Sequence, residues 1–338
     1  MSDSRIPVVL FGHGGIGRHH LRLLRANPNV QVVAVVDPSL PLLDGILVVA
    51  SFDDIASHDL LQPSVAKRVA IIATPISTHF KISEAMLLKG FEVFVEKPIV
   101  PEYSQAQILC ELAQQKNVAL AVGHSERHNP AFITFAEQFR KGITGQVYRI
   151  ECNRTGPFPQ RVGDAGATID LAVHDLDSLN FIMDNEPPQW VFARNEQRIN
   201  AHYDDGLNAM LGYANNTLVQ MTVNWLSPRK TRVLNVFGHH GMLQCDFAAQ
   251  KVTFFENLYT RSRPDEYGMG GIEVGPETNF PVPQWEPLAR EHECFFRAVQ
   301  YGMNADDIAA LRSASLAVQT ANRLLASGRQ QIPVETHG

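Results

Sequence analysis

The 338-residue chain is poor in cysteine, has only a mild excess of one charge sign and contains no long apolar stretch. Its cysteines, Cys110, Cys152, Cys245 and Cys294, are widely spaced and form no CxxC pair, which argues against a disulfide framework and against a zinc knuckle. Reduced, buried thiols in a cytoplasmic protein are therefore expected. No segment approaches the roughly 20 apolar residues of a membrane span. The polar start also lacks the pattern of a signal peptide, so we expect no membrane role.

The charge balance argues against another class of partner. Lys and Arg number 29 against 35 Asp and Glu, giving a net charge of −6, and no basic run occurs. A protein that binds nucleic acid needs concentrated positive charge against the phosphates, so we expect no nucleic-acid partner. Hydrophobic residues make up 45% of the chain, an ordinary globular balance, and the length favours two domains.

The first third of the sequence alternates short apolar runs with helical patterns. Such runs are typical of strands buried on both faces, and intervening helices imply parallel βαβ units. We therefore predict an α/β domain over residues 1–123. The predicted strands are Ile6–Phe11, Val30–Val36, Arg68–Ala73, Phe91–Val95 and Ala119–Val122, and the predicted helices are Gly15–Ala26, Ser77–Lys89 and Ser104–Lys116.

Residues 124–338 have a different pattern, in which alternating runs are separated by turn residues, as in an antiparallel sheet. Pro264–Pro287 is rich in Gly and Pro and is predicted to be a surface excursion. Two closing helices, Glu286–Tyr301 and Ala305–Ala326, can pack back on the first domain. The predicted strands are Val147–Asn153, Trp190–Arg194, Gly206–Tyr213, Leu218–Trp225, Arg232–Phe237 and Lys251–Glu256.

The segment Gly12-His13-Gly14-Gly15-Ile16-Gly17 fits GxGxxG and lies between a predicted strand and a predicted helix. In that context the glycines allow a sharp turn and a close approach to a pyrophosphate, whose charge lies at the helix N-terminus. A purely structural turn is the alternative. The motif predicts a dinucleotide-binding Rossmann domain.

Asp37 ends the second predicted strand. A carboxylate there can accept hydrogen bonds from both ribose hydroxyls of an adenosine and would repel a 2′-phosphate, which favours NAD over NADP. The alternative is an Asp that begins the turn before Pro38. Arg18 could still tolerate a phosphate, so the preference is not absolute.

Lys97 lies between Glu96 and Pro98 at the carboxyl end of a predicted parallel strand, where ligands of such sheets bind. A Lys beside a cofactor can donate to a substrate oxygen and stabilise its developing charge. A surface lysine is the alternative.

Asp170 and His174 are four residues apart, so a helix would put them on one face. An imidazole can take a hydroxyl proton near neutral pH, and a carboxylate can orient it. Metal binding is the first alternative, but the pair has no convincing third ligand, and we predict no metal site. A helix-capping or core role for His174 is the second alternative.

Four segments in this order resemble the glucose–fructose oxidoreductase / inositol dehydrogenase (Gfo/Idh/MocA) family. They are Gly12–Gly17 with His20 three positions on, Ala73-Thr74-Pro75-Ile76-Ser77-Thr78-His79, Val95-Glu96-Lys97-Pro98, and Asp170 with His174. The resemblance covers essentially the whole chain. It implies a Rossmann domain followed by an α/β domain with a large, mostly antiparallel open sheet, through which subunits form homodimers or homotetramers.

The resemblance also implies roles for individual residues. Lys97 and His174 would be catalytic, with Asp170 assisting. The implied NAD contacts are Gly12, Gly14, Ile16, Gly17, Asp37, Thr74, Pro75, His79, Glu96 and Lys97.

A narrower resemblance connects Gly123–Pro130, Arg154–Arg161 and Ile169–Asp177 to the subgroup that oxidises the 3-hydroxyl of UDP-N-acetylglucosamine. It departs from that subgroup at His128, where Phe is usual. Arg127, Arg154 and Arg161 could bind a pyrophosphate or carboxylate, or could be surface charges or salt-bridge partners. Asn129 could bind a sugar hydroxyl or cap the helix that begins at Pro130.

These patterns lead to one main hypothesis and two alternatives. The main hypothesis is NAD-dependent oxidation of a sugar secondary alcohol, at C3 of UDP-N-acetylglucosamine or a related UDP-amino sugar, to the 3-keto sugar. The alternatives are a dehydrogenase of a free sugar or inositol, and a non-catalytic nicotinamide-binding sensor. Gly238-His239-His240-Gly241 is interpreted as a hairpin turn and Glu291-His292-Glu293 as a solvated helix face.

Overall fold

The computed structural model describes residues 5–39, 43–159, 164–259 and 272–335. The chain divides into two compact units. The first comprises residues 1–124 and 288–319, and the second comprises residues 125–287 and 320–338. The chain therefore leaves the first unit and later returns to it.

The N-terminal part of the first unit alternates strands with helices. Its strands are β1 (Ile6–Phe11), β2 (Val30–Val36), β3 (Leu47–Val49), β4 (Val69–Ile72), β5 (Glu92–Glu96) and β6 (Leu120–Gly123), and its helices are α1 (Gly15–Ala26), α2 (Ile76–Leu88) and α3 (Tyr103–Lys116).

The six strands form one parallel sheet in the order β3-β2-β1-β4-β5-β6. The strand order reverses between β1 and β4, and parallel sheets bind ligands at such a point, beyond the carboxyl ends of the strands. Strands β1 and β4 are buried almost throughout, as expected for a sheet covered on both faces. The predicted Rossmann sheet is confirmed.

The second unit begins with α4 (Pro130–Arg140) and a long sheet. The strands and the helix that follow are β7 (Val147–Thr155), α5 (Val173–Ile182), β8 (Trp190–Glu196), β9 (Gly206–Gly212), β10 (Leu218–Asn224), β11 (Thr231–Gly238), β12 (Gly241–Asp246), β13 (Lys251–Tyr259) and β14 (Ile272–Phe280). The chain ends with α6 (Pro287–Tyr301), α7 (Ala305–Gln330) and β15 (Val334–Glu335).

The strands of the second unit form a nine-stranded sheet in the order β14-β13-β12-β11-β7-β10-β9-β8-β15. All its pairings are antiparallel except that of β7 with β10. The alternating burial along β8, β10 and β11 is the pattern of a sheet with one face packed on a core. The predicted mostly antiparallel sheet is confirmed.

The sequence patterns missed four strands of this architecture: β3, β12, β14 and β15. Of the predicted surface excursion Pro264–Pro287, residues 264–271 lie outside the described residues, and Ile272–Phe280 form β14, whose residues are mostly exposed and so show no apolar alternation. Strands β3 and β15 are too short to leave a pattern. Strand β12 follows the predicted hairpin turn, which is confirmed by the pairing of Gly238 with Gly241.

Within the described ranges, no helix is long and apolar enough to cross a membrane.

Candidate active site

On one side of the glycine-rich turn between β1 and α1, backbone segments approach one another closely. A Cβ added to Gly12 would lie 2.5 Å from the carbonyl oxygen of Ala73, and one added to Gly17 would lie 2.2 Å from the carbonyl oxygen of Gly12. Gly12 also has a φ of +87°, which L side chains rarely adopt. These two positions therefore require glycine.

The other side of the same turn is open. A Cβ on Gly14 or Gly15 would meet nothing within 4 Å. Gly14 is the N-cap of α1 and offers no side-chain cap, while Ile16 in the first turn is exposed. Because the first N–H groups of a helix have no intrahelical partner and attract anions, this end fits a pyrophosphate.

Asp37 follows β2 and connects the second strand to the glycine turn. Its Oδ2 accepts from the backbone N–H of His13 at 2.7 Å, and its Oδ1 accepts from the backbone N–H and hydroxyl of Ser39 at 2.9 and 2.6 Å. Burial raises the pKa of this carboxyl, but the hydrogen bonds from Ser39 and His13 outweigh it and the net pKa is lowered. Asp37 thus forms the predicted turn and also presents an ionised carboxylate beside the cofactor loop.

The segment after β4 is held by an internal network. The hydroxyl of Thr78 lies 2.7 Å from that of Thr74, and Pro75 is the N-cap of α2. His79 is buried, and its ring nitrogens lie 2.9 Å from the carbonyl oxygen of Pro98 and 3.0 Å from that of Thr74. His79 therefore joins the ends of β4 and β5, so that any contact with a cofactor would come from the loops that it holds.

Lys97 lies just beyond the carboxyl end of β5, two strands from β1 in the same parallel sheet. The Lys97–Pro98 peptide bond is cis. The backbone N–H of Lys97 lies 3.3 Å from Oε2 of Glu96. Since β1, β4 and β5 are parallel, Lys97 and the glycine turn lie at the same edge of the sheet.

The carboxylate of Glu96 is hydrogen-bonded to His20, which in turn is hydrogen-bonded to His292. His20 on α1 is 0% exposed, and its Nε2 lies 2.8 Å from Oε1 of Glu96. Its Nδ1 lies 2.8 Å from Nε2 of His292 on α6. Glu291 and His292 are buried, so the prediction of a solvated helix face is wrong for these two residues. The ring of His292 contacts those of Phe94 and Phe296. Burial, and secondarily His20 and Arg22, lower the pKa of His292 to about 3.

In the second unit, Asp170 lies in a π-helical turn, Thr168–Ala172, that runs directly into α5. Asp204 holds the start of that turn, because its Oδ2 accepts from the backbone N–H and the hydroxyl of Thr168 at 2.8 and 2.6 Å. His174 follows as the second residue of α5, and both Asp170 and His174 are half-buried. Single π turns inside helices are rare and are frequent at functional sites.

Beside this turn lies a group that we call the charged cluster: Glu126, Arg154, Asp175 and Arg232. Arg154 is only 2% exposed and bonds Asp175 through two nitrogens, at 2.9 and 3.1 Å, and Glu126 at 3.0 Å. Burial opposes its charge, but the two carboxylates outweigh this and raise the pKa of Arg154. Arg154 therefore forms the salt bridges that were the alternative to substrate binding, and its contact with a substrate stays a prediction.

Two further predicted substrate residues also have protein partners. Arg127 forms a two-pronged ion pair with Asp177, at 2.7 and 3.0 Å, and its guanidinium lies over the ring of Phe181. Asn129 caps α4, accepting from the N–H of Ala131 at 3.0 Å, while its amide donates to Glu126 and to the carbonyl of Phe247. For Asn129 the helix-cap alternative is confirmed. Arg161 lies outside the described residues.

Arg232 is the residue of this region that the sequence patterns missed. It is the second residue of β11, directly opposite Arg154 on β7, and its Nη1 lies 3.5 Å from Oε1 of Glu126. Its side chain keeps 37% exposure, and the charge of Asp170 acts on it. Burial and Arg154 lower the pKa of Arg232. As an arginine in a strand it carried no motif, and only the register of β7 with β11 brings it to the cluster.

No group of three or more His, Cys, Asp or Glu that could hold a metal ion occurs within the described part of the chain. His239 and His240 occupy the β11–β12 turn, where Tyr259 donates to the carbonyl oxygen of His239. The main chain of His128, where the sequence departs from the subgroup, accepts from Nε1 of Trp285 at 2.8 Å.

Known proteins resemble this chain over most of its length. UDP-N-acetylglucosamine 3-dehydrogenase of Acidithiobacillus ferrooxidans is 25% identical over 299 residues, which is 88% of this chain and 90% of that enzyme. Inositol 2-dehydrogenase of Rhizobium meliloti is 25% identical over 182 residues, 53% of this chain and 55% of that enzyme. The solved structure of GenD2 from gentamicin A biosynthesis, in complex with NAD, superposes with a TM-score of 0.81 at 22% identity, covering 99% of this chain and 97% of that one.

Family models match both units. The oxidoreductase family with an NAD-binding Rossmann fold matches residues 6–124, and the GFO/IDH/MocA C-terminal domain matches residues 132–244. The order of the two matches agrees with a parallel sheet followed by a mostly antiparallel one. The chain belongs to the GFO/IDH/MocA family of NAD-binding oxidoreductases.

Proposed function

We propose that this oxidoreductase oxidises the 3-hydroxyl of UDP-N-acetylglucosamine, or of a closely related UDP-amino sugar, to the 3-keto sugar. The observation that carries the dehydrogenase site is the position of Lys97 at the same sheet edge as the glycine turn. The substrate is supported by the similarity to UDP-N-acetylglucosamine 3-dehydrogenase, which extends over 88% of the chain.

The chain's own residues would divide the work on the alcohol. His174 takes the hydroxyl proton, with Asp170 orienting its ring. Lys97 donates a hydrogen bond to the same oxygen and stabilises its negative charge as the C–H bond breaks. NAD, when bound, accepts the hydride from the carbinol carbon, so the balanced products are the ketone, NADH and one proton.

The cofactor preference rests on Asp37. Its carboxylate is ionised and fixed by His13 and Ser39, and it retains lone pairs for ribose hydroxyls. A 2′-phosphate would be repelled by that charge. We therefore propose NAD rather than NADP as the working cofactor, with Gly12, Gly14, Ile16 and Gly17 surrounding the pyrophosphate.

A free sugar or inositol is a second candidate, favoured by one specific observation. Two of the three arginines predicted to bind a nucleotide diphosphate already pair with protein carboxylates: Arg127 with Asp177, and Arg154 with Asp175 and Glu126. The similarity to inositol 2-dehydrogenase, although partial, is consistent with this candidate. Arg232, whose side chain is partly exposed, favours a substrate rich in hydrogen-bond acceptors.

Turnover assays with matched substrates test the proposal. The protein is incubated with NAD and either UDP-N-acetylglucosamine, free N-acetylglucosamine or myo-inositol, while NADH absorbance is recorded. We expect UDP-N-acetylglucosamine to give the highest kcat/KM and a 3-keto product by mass spectrometry. Turnover of inositol or the free sugar with no turnover of the nucleotide sugar would overturn the substrate and support the second candidate. Repeating the best reaction with NADP tests the cofactor preference.

A further inference from the structure

We propose that His292 and His20 are positioning residues that hold the Glu96 carboxylate and, through it, the backbone that carries Lys97. We call Glu96, His20 and His292 the histidine chain. Its role in catalysis rests on the proposed function of Lys97, while its hydrogen bonding is independent of that function.

The histidine chain joins three elements of the first unit that are distant in sequence. Glu96 ends β5, His20 lies in the second turn of α1, and His292 lies on α6, about 200 residues later. Both links are 2.8 Å long, and the two imidazole planes differ by only 16°. Near-parallel rings allow a hydrogen bond in the plane of both, which is the favourable geometry for ring nitrogens.

Each hydrogen bond of the histidine chain can be assigned a donor and an acceptor. The Glu96 carboxylate accepts only, so His20 donates from Nε2 and must then accept at Nδ1 if its ring is neutral. His292 supplies that hydrogen bond from its own Nε2–H. Burial keeps His292 neutral at physiological pH, since it lowers the pKa to about 3. With a neutral His20 ring, the donors therefore run in one direction, from His292 through His20 to the Glu96 carboxylate.

The surroundings leave the carboxylate little freedom. Phe94 meets both imidazole rings edge-on, at centroid distances of 5.4 Å from His20 and 6.0 Å from His292. Gly123 ends β6 beside Glu96, and a Cβ there would come within 2.9 Å of Oε1. On its other side Oε2 accepts from the N–H of Lys97. Loss of the His292 donor would leave His20 free to turn its ring or change tautomer, and the carboxylate would follow.

The functional consequence is a change in kcat rather than in substrate affinity. A shift of Glu96 would displace the Lys97 ammonium relative to the reacting oxygen, and misplacement by about 1 Å can cost up to about 100-fold in rate. Because the bond from Lys97 strengthens only as negative charge develops on the oxygen, its displacement should lower kcat and change KM for the sugar little. A residue that only stabilised the fold would lower the apparent kcat solely by lowering the fraction of active protein. We therefore express kcat per NAD-binding site counted by fluorescence titration, and on that basis a purely structural residue changes neither kcat nor KM.

Three variants test the role of the histidine chain. His292→Leu removes the donor, His292→Gln retains an N–H at the position of Nε2, and His19→Leu makes the same chemical change at an exposed site one residue from His20. For His292→Leu we expect kcat to fall about tenfold with the sugar KM within twofold. His292→Gln should recover kcat to within about threefold of the wild type, and His19→Leu should match the wild type. A wild-type kcat in His292→Leu, or equal losses in the Leu and Gln variants, would overturn the proposal.

A second readout does not need turnover. Nitrogen-15 NMR of the histidine-labelled wild-type protein should show both His20 and His292 as neutral Nε2–H tautomers at pH 7. A neutral Nδ1–H tautomer or a protonated ring at His20 would overturn the proposal even if His292→Leu fails to fold. If the wild type oxidises none of the sugars tested, the proposed function fails, but these spectra still decide whether the histidine chain exists.

Discussion

The glycine turn of the first unit and the charged cluster of the second unit are built in opposite ways. In the turn, backbone atoms approach one another so closely that Gly12 and Gly17 cannot carry a Cβ. In the cluster, long side chains from separate elements meet in a buried network around Arg154. A site made by the backbone restricts residue type at fixed spacing, whereas a site made by side chains depends on which strands become neighbours.

The largest expected effect is at the two residues proposed to act on the alcohol, His174 in the second unit and Lys97 in the first. His174→Ala should lower kcat/KM by about 10²–10⁴-fold, because it removes the group that takes the hydroxyl proton. Lys97→Ala should give a comparable loss, while NAD binding followed by fluorescence should persist in both variants. Near-normal turnover in either variant would contradict the assigned roles. His202→Ala, at an exposed position of the second unit, is the matched control and should retain full activity.

The next effect concerns the stability of the charged cluster. Arg154→Ala would leave Asp175 and Glu126 buried without their partner, and breaking such a pair typically costs about 3–5 kcal/mol. We expect urea unfolding to show a loss of this size in the free energy of unfolding. Arg198→Ala, which removes an exposed cation paired at 3.7 Å with Glu196, should change stability by less than about 1 kcal/mol. Equal stability of the two variants would show that Arg154 is free for a ligand instead.

A smaller loss is expected at the glycine turn. Gly17→Ala places a Cβ 2.2 Å from the carbonyl oxygen of Gly12, and because the contact is with backbone it must be relieved by moving the turn. Overpacking of this kind costs about 1–3 kcal/mol, and the displaced N–H groups should bind NAD much more weakly. Gly15→Ala, which meets nothing within 4 Å, should leave the melting temperature unchanged or raised. Tight NAD binding by Gly17→Ala would contradict the close-approach argument.

These contrasts explain how much could be predicted from sequence. The Rossmann sheet, the cofactor turn and the mostly antiparallel sheet follow from apolar periodicity and from glycines at fixed spacing. Arg127, Arg154 and Asn129 were predicted from sequence as candidate substrate contacts, yet whether they face a ligand or a carboxylate depends on residues such as Asp177 and Glu126 that only the fold brings near.

The histidine chain shows the same limit within the better-predicted unit. His20 belonged to a motif, but its partner His292 lies on a helix of the C-terminal region that returns to the first unit. A sequence window of one or two turns cannot reveal that return, because the burial of α6 is set by the unit that it packs against. The prediction of a solvated face failed for this reason.

A modest effect is expected at Arg232, a member of the charged cluster whose side chain is also partly exposed. Arg232→Gln should raise KM for UDP-N-acetylglucosamine by about 5–30-fold, since a charge-assisted hydrogen bond is worth about 1–2 kcal/mol when partly exposed. KM for NAD should stay within twofold. Arg229→Gln, a nearby exposed position, is the control. An unchanged sugar KM in Arg232→Gln would place Arg232 with Arg154 as a purely structural cation.

The smallest effect is a pH dependence of stability that belongs to the histidine chain. The pKa of His292 is about 3 in the folded protein, lowered chiefly by burial, against an ordinary value near 6.5. Between these values the unfolded chain binds a proton that the folded chain excludes. Stability from this group is therefore complete above about pH 6.5 and is lost as the pH falls toward 3.

The slope from this one residue cannot exceed about 1.4 kcal/mol per pH unit. The groups that face it are His20, which also bonds Glu96, and the Arg22 guanidinium. Urea unfolding between pH 4 and pH 7 should therefore show a shallower decline with acid in His292→Leu than in the wild type, with His19→Leu declining as the wild type does. Parallel curves in all three proteins would show that His292 takes up its proton equally in both states, which a buried imidazole among phenylalanines should not do.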